Sequence, residues 1–331
     1  MDKRTRVLNA INKLPVDHVP VSLWVHFFDK GVFGEASIKA HLEYYDSLDL
    51  DIAKVMGDGY FGYPAGGVAI ESLSDLKAIA PIGRDHPWIR EQVERAKAIV
   101  SVLGGKMFVL GNVFNPFSSL KYGFSEDIPR SDVIVMKMLK EDKDAVKRAL
   151  DIVAEGNALL GELLITEAGC DGVYYSVQNG ETDRFTDEEY RDIVMPRDLL
   201  VLEHMNRFSE NNFLHCCGFM GQKNRISMWV DYPAKCVNWA TAVEEIPLHE
   251  GRYLYHNKAV LGGFDTHWDM MSTEGQRGVL YHGSKEELQA YTRELIINTG
   301  KLGMLIGGDC TMDHRIDYDR VRWIIEAARS V

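Results

Sequence analysis

Apolar residues along this chain fall into short runs, separated by longer segments in which apolar positions recur with helical spacing. Each run is about four to eight residues long, the length expected of a buried strand. The segments between them carry apolar residues at every third or fourth position, as on one face of a helix. This alternation predicts an α/β fold with a parallel sheet. The runs occupy residues 19–26, 50–56, 106–111, 171–177, 213–217, 235–239, 259–264 and 304–307.

Eight strand–helix units predict a (β/α)8 TIM barrel. The chain has 331 residues, somewhat more than the roughly 250 that are typical of this fold. The excess falls between strands 2 and 3, where we expect a helical insertion. A doubly wound open sheet is the alternative, but no G-x-G-x-x-G motif follows the first strand. Because no stretch has the composition of a linker, we expect residues 1–331 to form one barrel domain.

Charge and apolar content exclude two classes of partner. The formal net charge of −12 argues against nucleic acid, which requires a basic surface. No apolar run approaches the roughly 20 residues that are needed to span a bilayer, and the N-terminal residues have the spacing of an amphipathic helix. We therefore expect a cytoplasmic protein without a membrane partner. Five cysteines are too few for a disulfide framework and fit a reducing compartment, where they are ligands or core residues.

The fifth strand ends with ligands that suit a soft metal ion. Side chains on a strand alternate between its faces, so His215 and Cys217 project to the same side. Cys310 supplies a second thiol at the end of the last strand. One imidazole and two thiolates suit Zn²⁺ and leave a coordination position open for chemistry. The alternative is that the cysteines are small buried hydrophobic residues, and this is our interpretation of Cys170, Cys216 and Cys236.

Polar and aromatic side chains follow the other strands, at the end of the barrel where active sites lie. Asp58 follows the second strand and is a candidate general acid or base or a substrate anchor, and His26 ends the first and is a candidate proton donor or substrate contact. A turn aspartate and a surface histidine are the alternatives. The candidate substrate contacts are Gln178, Asn179, Asn238, Trp239 and His267. A structural role is an equally good interpretation of each of them.

Five short motifs occur along the chain in a fairly specific order. They are Arg-Val-Leu-Asn-Ala-Ile at 6–11, Val-Pro-Val at 19–21, Gly-Cys-Asp-Gly-Val-Tyr at 169–174, Leu-Gly-Gly-Phe-Asp at 261–265 and Gly-Gly-Asp-Cys at 307–310. In these motifs the chain resembles the uroporphyrinogen decarboxylase superfamily of (β/α)8 barrels over most of its length.

The resemblance implies one of two chemistries. Decarboxylases of this superfamily carry an arginine-rich segment after the first strand, which binds the substrate carboxylates, and an aspartate after the second. Asp58 matches the aspartate, but residues 24–30 contain no arginine. The other branch comprises cobalamin-linked methyltransferases such as methylcobamide:coenzyme M methyltransferases, which have a His-x-Cys followed far downstream by Cys. His215, Cys217 and Cys310 match that pattern.

The resemblance therefore implies a zinc-dependent methyltransferase that moves a methyl group between a corrinoid and a thiol or a small methylated substrate. Zn²⁺ and cobalamin on a small corrinoid protein are the implied cofactor and partner, and a homodimer is possible. Two alternatives stay open: a metal-free decarboxylase-like lyase that uses Asp58, and a non-catalytic barrel that binds a corrinoid protein. The fourth metal ligand is not assigned by the pattern; the candidates are Asn238, Glu244 and Glu245.

Overall fold

A computed structural model describes residues 1–125, 127–178, 180, 184–218, 221–267 and 275–331. Within these residues, eight parallel strands form one sheet in the order β1-β8-β7-β6-β5-β4-β3-β2, which confirms the predicted barrel. The strands are β1 (Val21–Ser22), β2 (Ile52–Lys54), β3 (Phe108–Phe114), β4 (Gly172–Val177), β5 (Phe213–Cys216), β6 (Cys236–Trp239), β7 (Ala259–Phe264) and β8 (Met304–Gly308).

The barrel closes between β1 and β2, the two ends of that strand order, through residues at their starts. The Asp51 N–H donates to the Val21 carbonyl oxygen at 3.0 Å, and the Val21 N–H donates to Asp51 Oδ2 at 2.8 Å. The Ser22 hydroxyl adds a bond to the Ile52 carbonyl oxygen at 3.2 Å. The buried Arg6 guanidinium pairs with the same Asp51 carboxylate. The closing seam is therefore held by a buried ion pair as well as by backbone bonds.

Helices surround the sheet, and α1 packs against strands β2, β3, β7 and β8. The predicted insertion between β2 and β3 contains a 3₁₀ helix (Leu73–Ala78) and α3. The helices are α1 (Lys3–Ile11), α2 (Gly34–Ser47), α3 (Pro87–Leu103), α4 (Pro116–Tyr122), α5 (Ile128–Glu141), α6 (Lys143–Thr166), α7 (Asp187–Ile193), α8 (Met195–Asn206), α9 (Thr241–Glu244), α10 (Leu248–Leu254), α11 (Val279–His282), α12 (Lys285–Thr299) and α13 (Tyr318–Ala328).

The apolar spacing of residues 222–232 predicts a helix. The structure shows that this prediction is wrong. Only a 3₁₀ turn, Ile226–Met228, forms there. The Asn224 N–H donates to the Glu244 carboxylate, and the Arg225 N–H donates to the Gly180 carbonyl oxygen at 2.7 Å. The start of the segment is thus bound to distant parts of the chain. Among the helices of the described residues, none combines the length and apolar character needed to cross a bilayer.

Candidate metal site

Strands β5 and β8 bring three potential metal ligands together at the carboxyl end of the barrel. His215 lies on β5, Cys217 directly follows that strand, and Cys310 lies two residues beyond β8. One donor atom from each residue lies within 4.8 Å of the other two. The Sγ atoms of Cys217 and Cys310 are 3.8 Å apart. We call these three residues the His–Cys–Cys cluster; they are the residues that the sequence predicts as metal ligands.

The side chain of Asn238 connects the strands that carry this cluster. Asn238 is fully buried on β6, and its Nδ2 donates to the carbonyl oxygens of Leu261 on β7 at 2.8 Å and Gly308 on β8 at 3.0 Å. Its Oδ1 accepts hydrogen bonds from His215 Nδ1 and from the Tyr174 hydroxyl at 2.7 Å. These bonds use both donors and both lone pairs of the amide, so Asn238 fixes β5 relative to β8.

This network also determines which nitrogen of His215 is available to a metal ion. Because Asn238 Nδ2 faces two carbonyl oxygens, its Oδ1 must face the imidazole, and Nδ1 must carry the proton that it donates. An unprotonated Nε2 then offers its lone pair to a metal ion, an arrangement typical of histidine ligands. The Tyr174 ring stacks on the imidazole with 5.1 Å between ring centroids and fixes its plane.

The surroundings of Cys310 favour its thiolate. The hydrogen bond with Cys217 has the largest effect and lowers the pKa of the Cys310 thiol well below its usual value; burial opposes this shift, and the hydrogen bond and charge of His215 add to it. Burial instead raises the pKa of the thiols outside the cluster, which are Cys170, Cys216 and Cys236. Reactive and inert thiols are thus separated by their surroundings.

We expect iodoacetamide to alkylate the His–Cys–Cys cluster of the metal-free protein at pH 7 and to leave the other cysteines unmodified. A lowered pKa keeps the Cys310 thiolate present until the pH falls through that lowered value. The pKa of Cys170 is raised to about 12, so its thiolate appears only in strongly alkaline solution. Peptide mapping by mass spectrometry measures the modification, and added Zn²⁺ should protect the cluster. Equal modification of Cys170 and Cys310 in the folded protein would contradict this prediction.

The donor set of the cluster fits a zinc ion with one open position. Two thiolates and one imidazole are ligands that zinc prefers, and catalytic zinc sites use three protein ligands. Within the described residues, no other His, Cys, Asp or Glu belongs to the group. Glu244 accepts hydrogen bonds from Asn224 instead, and the exposed Glu245 pairs with Lys223. Neither glutamate therefore belongs to the group of donor atoms, and Asn238 contacts the cluster only through its hydrogen bond with His215.

Asp58 and His26, the candidate catalytic pair, contact each other. His26 Nδ1 lies 2.6 Å from Asp58 Oδ1, and the Phe27 N–H donates to Asp58 Oδ2 at 2.8 Å. Burial alone would raise the pKa of Asp58, but the hydrogen bond and charge of His26 outweigh it, and the net shift is downward. Asp58 is therefore ionised at neutral pH. Both of its oxygens are engaged, while the imidazole of His26 is partly exposed.

Three candidate substrate contacts follow β4 and β7. Gln178 is buried after β4, and its Nε2 donates to the Ser118 hydroxyl at 3.2 Å and to the Tyr122 hydroxyl. Asn179 lies outside the described residues. His267 is partly exposed after β7, with its backbone N–H donating to Asp265 Oδ1 at 2.9 Å. The structure therefore leaves Gln178 and His267 as candidates at the carboxyl end of the barrel.

Two other candidate substrate contacts have structural partners. Trp239 lies on the opposite face of β6 from Asn238, where it stacks on Tyr255 with 5.5 Å between ring centroids and packs so closely on α10 that a Cβ at Gly251 would lie 2.1 Å from its ring. Its Nε1 donates to the Ile246 carbonyl oxygen. Asn238 is saturated by the network described above. In this structure both side chains are engaged with the protein itself, and a substrate contact for either residue stays a prediction.

Lys54, which the sequence analysis did not single out, lies inside the barrel. It is 5 % exposed, and its ammonium lies 4.2 Å from the ring centroid of Tyr174 and 4.8 Å from that of Trp24. Burial is the main influence and lowers its pKa to about 8; Cys310, Asp58 and Cys217 act against that shift. A signal was available, since Lys54 is the one charged residue after Asp51 in an otherwise apolar strand.

Comparison with solved structures finds the same fold in several proteins. A methyltransferase from Methanosarcina mazei superposes with a TM-score of 0.70 at 16% identity, covering 100% of this chain and 98% of that chain. A B12-independent methionine synthase from Shewanella sp. W3-18-1, solved with selenomethionine, gives a TM-score of 0.53 at 13% identity and covers 96% and 94%. A putative vitamin-B12-independent methionine synthase from Listeria monocytogenes gives 0.51 at 11% identity and covers 95% and 96%.

Sequence comparison assigns the family. A search among curated proteins gives no match. The family model described as Uroporphyrinogen decarboxylase (URO-D) matches residues 56–331, which include the whole His–Cys–Cys cluster and Asp58. The chain therefore belongs to the uroporphyrinogen decarboxylase family, as the order of its sequence motifs predicts.

Proposed function

We propose that this protein is a zinc-dependent methyltransferase that moves a methyl group between a corrinoid and a thiol or a small methylated substrate. The observation that carries the proposal is the convergence of two sulfur atoms and one imidazole, with donor atoms within 4.8 Å of one another. The hydrogen bond from His215 to Asn238 supports it further, because it leaves Nε2 available as a ligand.

We choose methyl transfer to a thiol because a zinc ion held by three residues would keep one coordination position open for that thiol. A zinc ion in the cluster would lower the pKa of a bound substrate thiol and keep it as a thiolate at neutral pH. The substrate thiol would lose its proton to solvent, and its sulfur would form a bond to the methyl carbon while the bond between that carbon and its donor breaks and the electron pair leaves with the donor. Cys217 and Cys310 would hold the ion without being methylated, and the transfer requires no oxidant or reductant.

Aromatic rings at the same end of the barrel support binding of a large planar methyl carrier. Phe61 lies 5.3 Å from Phe114 and 6.3 Å from Tyr122 between ring centroids. Phe28 is 39 % exposed and stacks on His26 with 4.6 Å between centroids. These residues lie at or beyond the carboxyl ends of β1, β2 and β3, so they border the barrel mouth. A corrinoid carried by a small partner protein is our proposed occupant of this rim.

The Methanosarcina methyltransferase matches nearly the full length of both chains, and this likeness of fold adds support. The rival chemistry, decarboxylation with Asp58 against a substrate, has less support. Both oxygens of Asp58 are engaged by His26 and by the Phe27 N–H. The segment after β1 also carries no arginine to bind a polycarboxylate substrate.

Anaerobic transfer from methylcobalamin to 2-mercaptoethanol tests the proposal. We expect zinc-loaded protein to consume methylcobalamin and to form the methyl thioether, and we expect Cys217→Ala to lower the rate at least a hundredfold. The spectrum of the corrinoid and mass spectrometry of the thioether give the two readouts. Equal rates in the zinc-loaded and metal-free proteins would contradict the proposal. Turnover of uroporphyrinogen by metal-free protein would favour the lyase, and corrinoid-protein binding without turnover the non-catalytic barrel.

A further inference from the structure

We propose that helix α9 fixes the distance between the two thiolates of the His–Cys–Cys cluster, and that Asp309 and Glu244 are the positioning residues through which it acts. This inference rests on the proposed function, because it concerns the geometry of the zinc ligands. Hydrogen bonds connect the start of this four-residue helix to the segment of Cys310, and its last residue to the segment of Cys217. We call these bonds the α9 connection.

Asp309 connects the start of α9 to the second cysteine. It directly precedes Cys310 and is 4 % exposed. One carboxylate oxygen accepts a hydrogen bond from the Thr241 hydroxyl at 2.6 Å, and the other accepts one from the Ala242 N–H at 2.8 Å. Because both oxygens bind the first turn of α9, the backbone that carries Cys310 is held against this helix.

Glu244 connects the end of α9 to the first cysteine through Asn224. The buried Glu244 carboxylate accepts hydrogen bonds from the Asn224 backbone N–H and from Asn224 Nδ2, each at 3.0 Å. The same Nδ2 donates to the Cys217 carbonyl oxygen at 2.7 Å. An amide nitrogen carries two hydrogens, so Asn224 can donate to Glu244 and to Cys217 at the same time. The backbone of Cys217 is therefore tied to the last residue of α9.

Gly218 brings the segment of the first cysteine into direct contact with α9. This glycine follows Cys217, and a Cβ at its position would lie 2.6 Å from the Cβ of Ala240, just before the helix, and 3.2 Å from the Cβ of Val243 within it. Carbon atoms pack at about 3.5 to 4.0 Å, so a side chain would push the two segments apart. Close packing thus supplements the hydrogen bonds of Glu244.

The sheet alone gives the two cysteines only an indirect connection. In the strand order, β6 and β7 lie between β5 and β8. The Sγ atoms of Cys217 and Cys310 are nevertheless 3.8 Å apart, a separation at which two thiolates repel each other. Helix α9 connects the two segments directly. Ligands that are held in place before an ion binds lose less freedom on binding, so the α9 connection should increase the affinity for zinc.

Zinc affinity, measured by chelator competition, tests the α9 connection. Thr241→Val removes one hydroxyl at nearly constant size, and Glu244→Met removes the acceptor for Asn224. Each should weaken zinc binding about tenfold, the lower end of the usual effect of losing a group that orients a ligand. Thr241→Ser keeps the hydroxyl and should keep the affinity. Because both residues act through one helix, the double variant should also lose about tenfold, and not the roughly hundredfold expected of independent sites.

The visible spectrum of the Co²⁺-loaded protein gives a second readout, which a general loss of stability would not change. The ligand-field bands should shift in Thr241→Val and Glu244→Met, because the angle between the two thiolates changes. Glu245→Gln is the matched control: Glu245 directly follows α9 but is exposed and pairs with Lys223. Its zinc affinity and cobalt spectrum should equal those of the unmodified protein.

Equal zinc affinity in Thr241→Val and Thr241→Ser, or losses that add in the double variant, would overturn the α9 connection and leave the zinc site intact. Failure of the unmodified protein to bind zinc would instead count against the proposed function itself. Thermal unfolding of each metal-free variant shows whether the fold is retained. If Glu244→Met does not fold, the comparison of the two Thr241 variants still decides the question.

Discussion

Replacing Cys310 with serine is expected to reduce the bound zinc from about one ion per chain to less than a tenth of that value. Serine keeps the size of the side chain, but its hydroxyl is not deprotonated at neutral pH and is a poor zinc ligand. The remaining His215 and Cys217 offer only two donors. Elemental analysis after dialysis against a weak chelator measures the loss, and methyl transfer should fall with it.

Cys216→Ala is the matched control for this prediction. Cys216 is adjacent to Cys217 but faces the other side of β5, where its Sγ lies 3.2 Å from the Tyr255 hydroxyl. Its removal should cost stability without changing the zinc content. If Cys310→Ser and Cys216→Ala bound equal amounts of zinc, the cluster would not be a metal site, and its thiols would be core residues.

Local sequence pattern was sufficient to predict the fold and the grouping of the cluster. The alternation of strand and helix fixed the number and direction of the strands, and the barrel geometry then required polar residues at strand ends to converge. The His215-x-Cys217 spacing is readable because a strand has a period of two. The same period shows that adjacent residues face apart. It therefore argues against a shared substrate role for Asn238 and Trp239, which the sequence analysis had grouped together.

The parts of the site that the sequence did not reveal depend on contacts between distant strands. Asn238 on β6 donates to Leu261 on β7 and Gly308 on β8, and no local pattern marks an asparagine as the centre of such a network. The sequence signal of Lys54 is weak, because a single lysine in an apolar strand is equally compatible with an exposed face. Only the closure of the barrel shows that this position points toward Trp24 and Tyr174.

The oxygen and the nitrogen of the Asn238 amide have different roles, and variants of this residue should separate the effect on zinc affinity from the effect on stability. Its Oδ1 holds His215 in the tautomer that leaves Nε2 free, while its Nδ2 joins β6 to β7 and β8. We expect Asn238→Ala to weaken zinc binding about 10- to 100-fold, the usual effect of losing a ligand's hydrogen-bond partner. It should also destabilise the fold by about 3 kcal/mol or more, because several buried polar groups lose their partners. Chelator competition and urea unfolding of the metal-free protein measure the two effects.

Two further variants, Asn238→Asp and Tyr174→Phe, test which hydrogen bond of Asn238 causes each effect. Aspartate keeps an acceptor for His215 but turns an oxygen toward the Leu261 and Gly308 carbonyls, so stability should fall while zinc affinity stays within about tenfold of the unmodified protein. Tyr174→Phe keeps the stacked ring and removes only one donor to Asn238, so both effects should be small. Zinc affinity in Asn238→Ala equal to that of the unmodified protein would show that the hydrogen bond to His215 does not orient a ligand. In that case the positions of the strands alone would determine the geometry of the cluster.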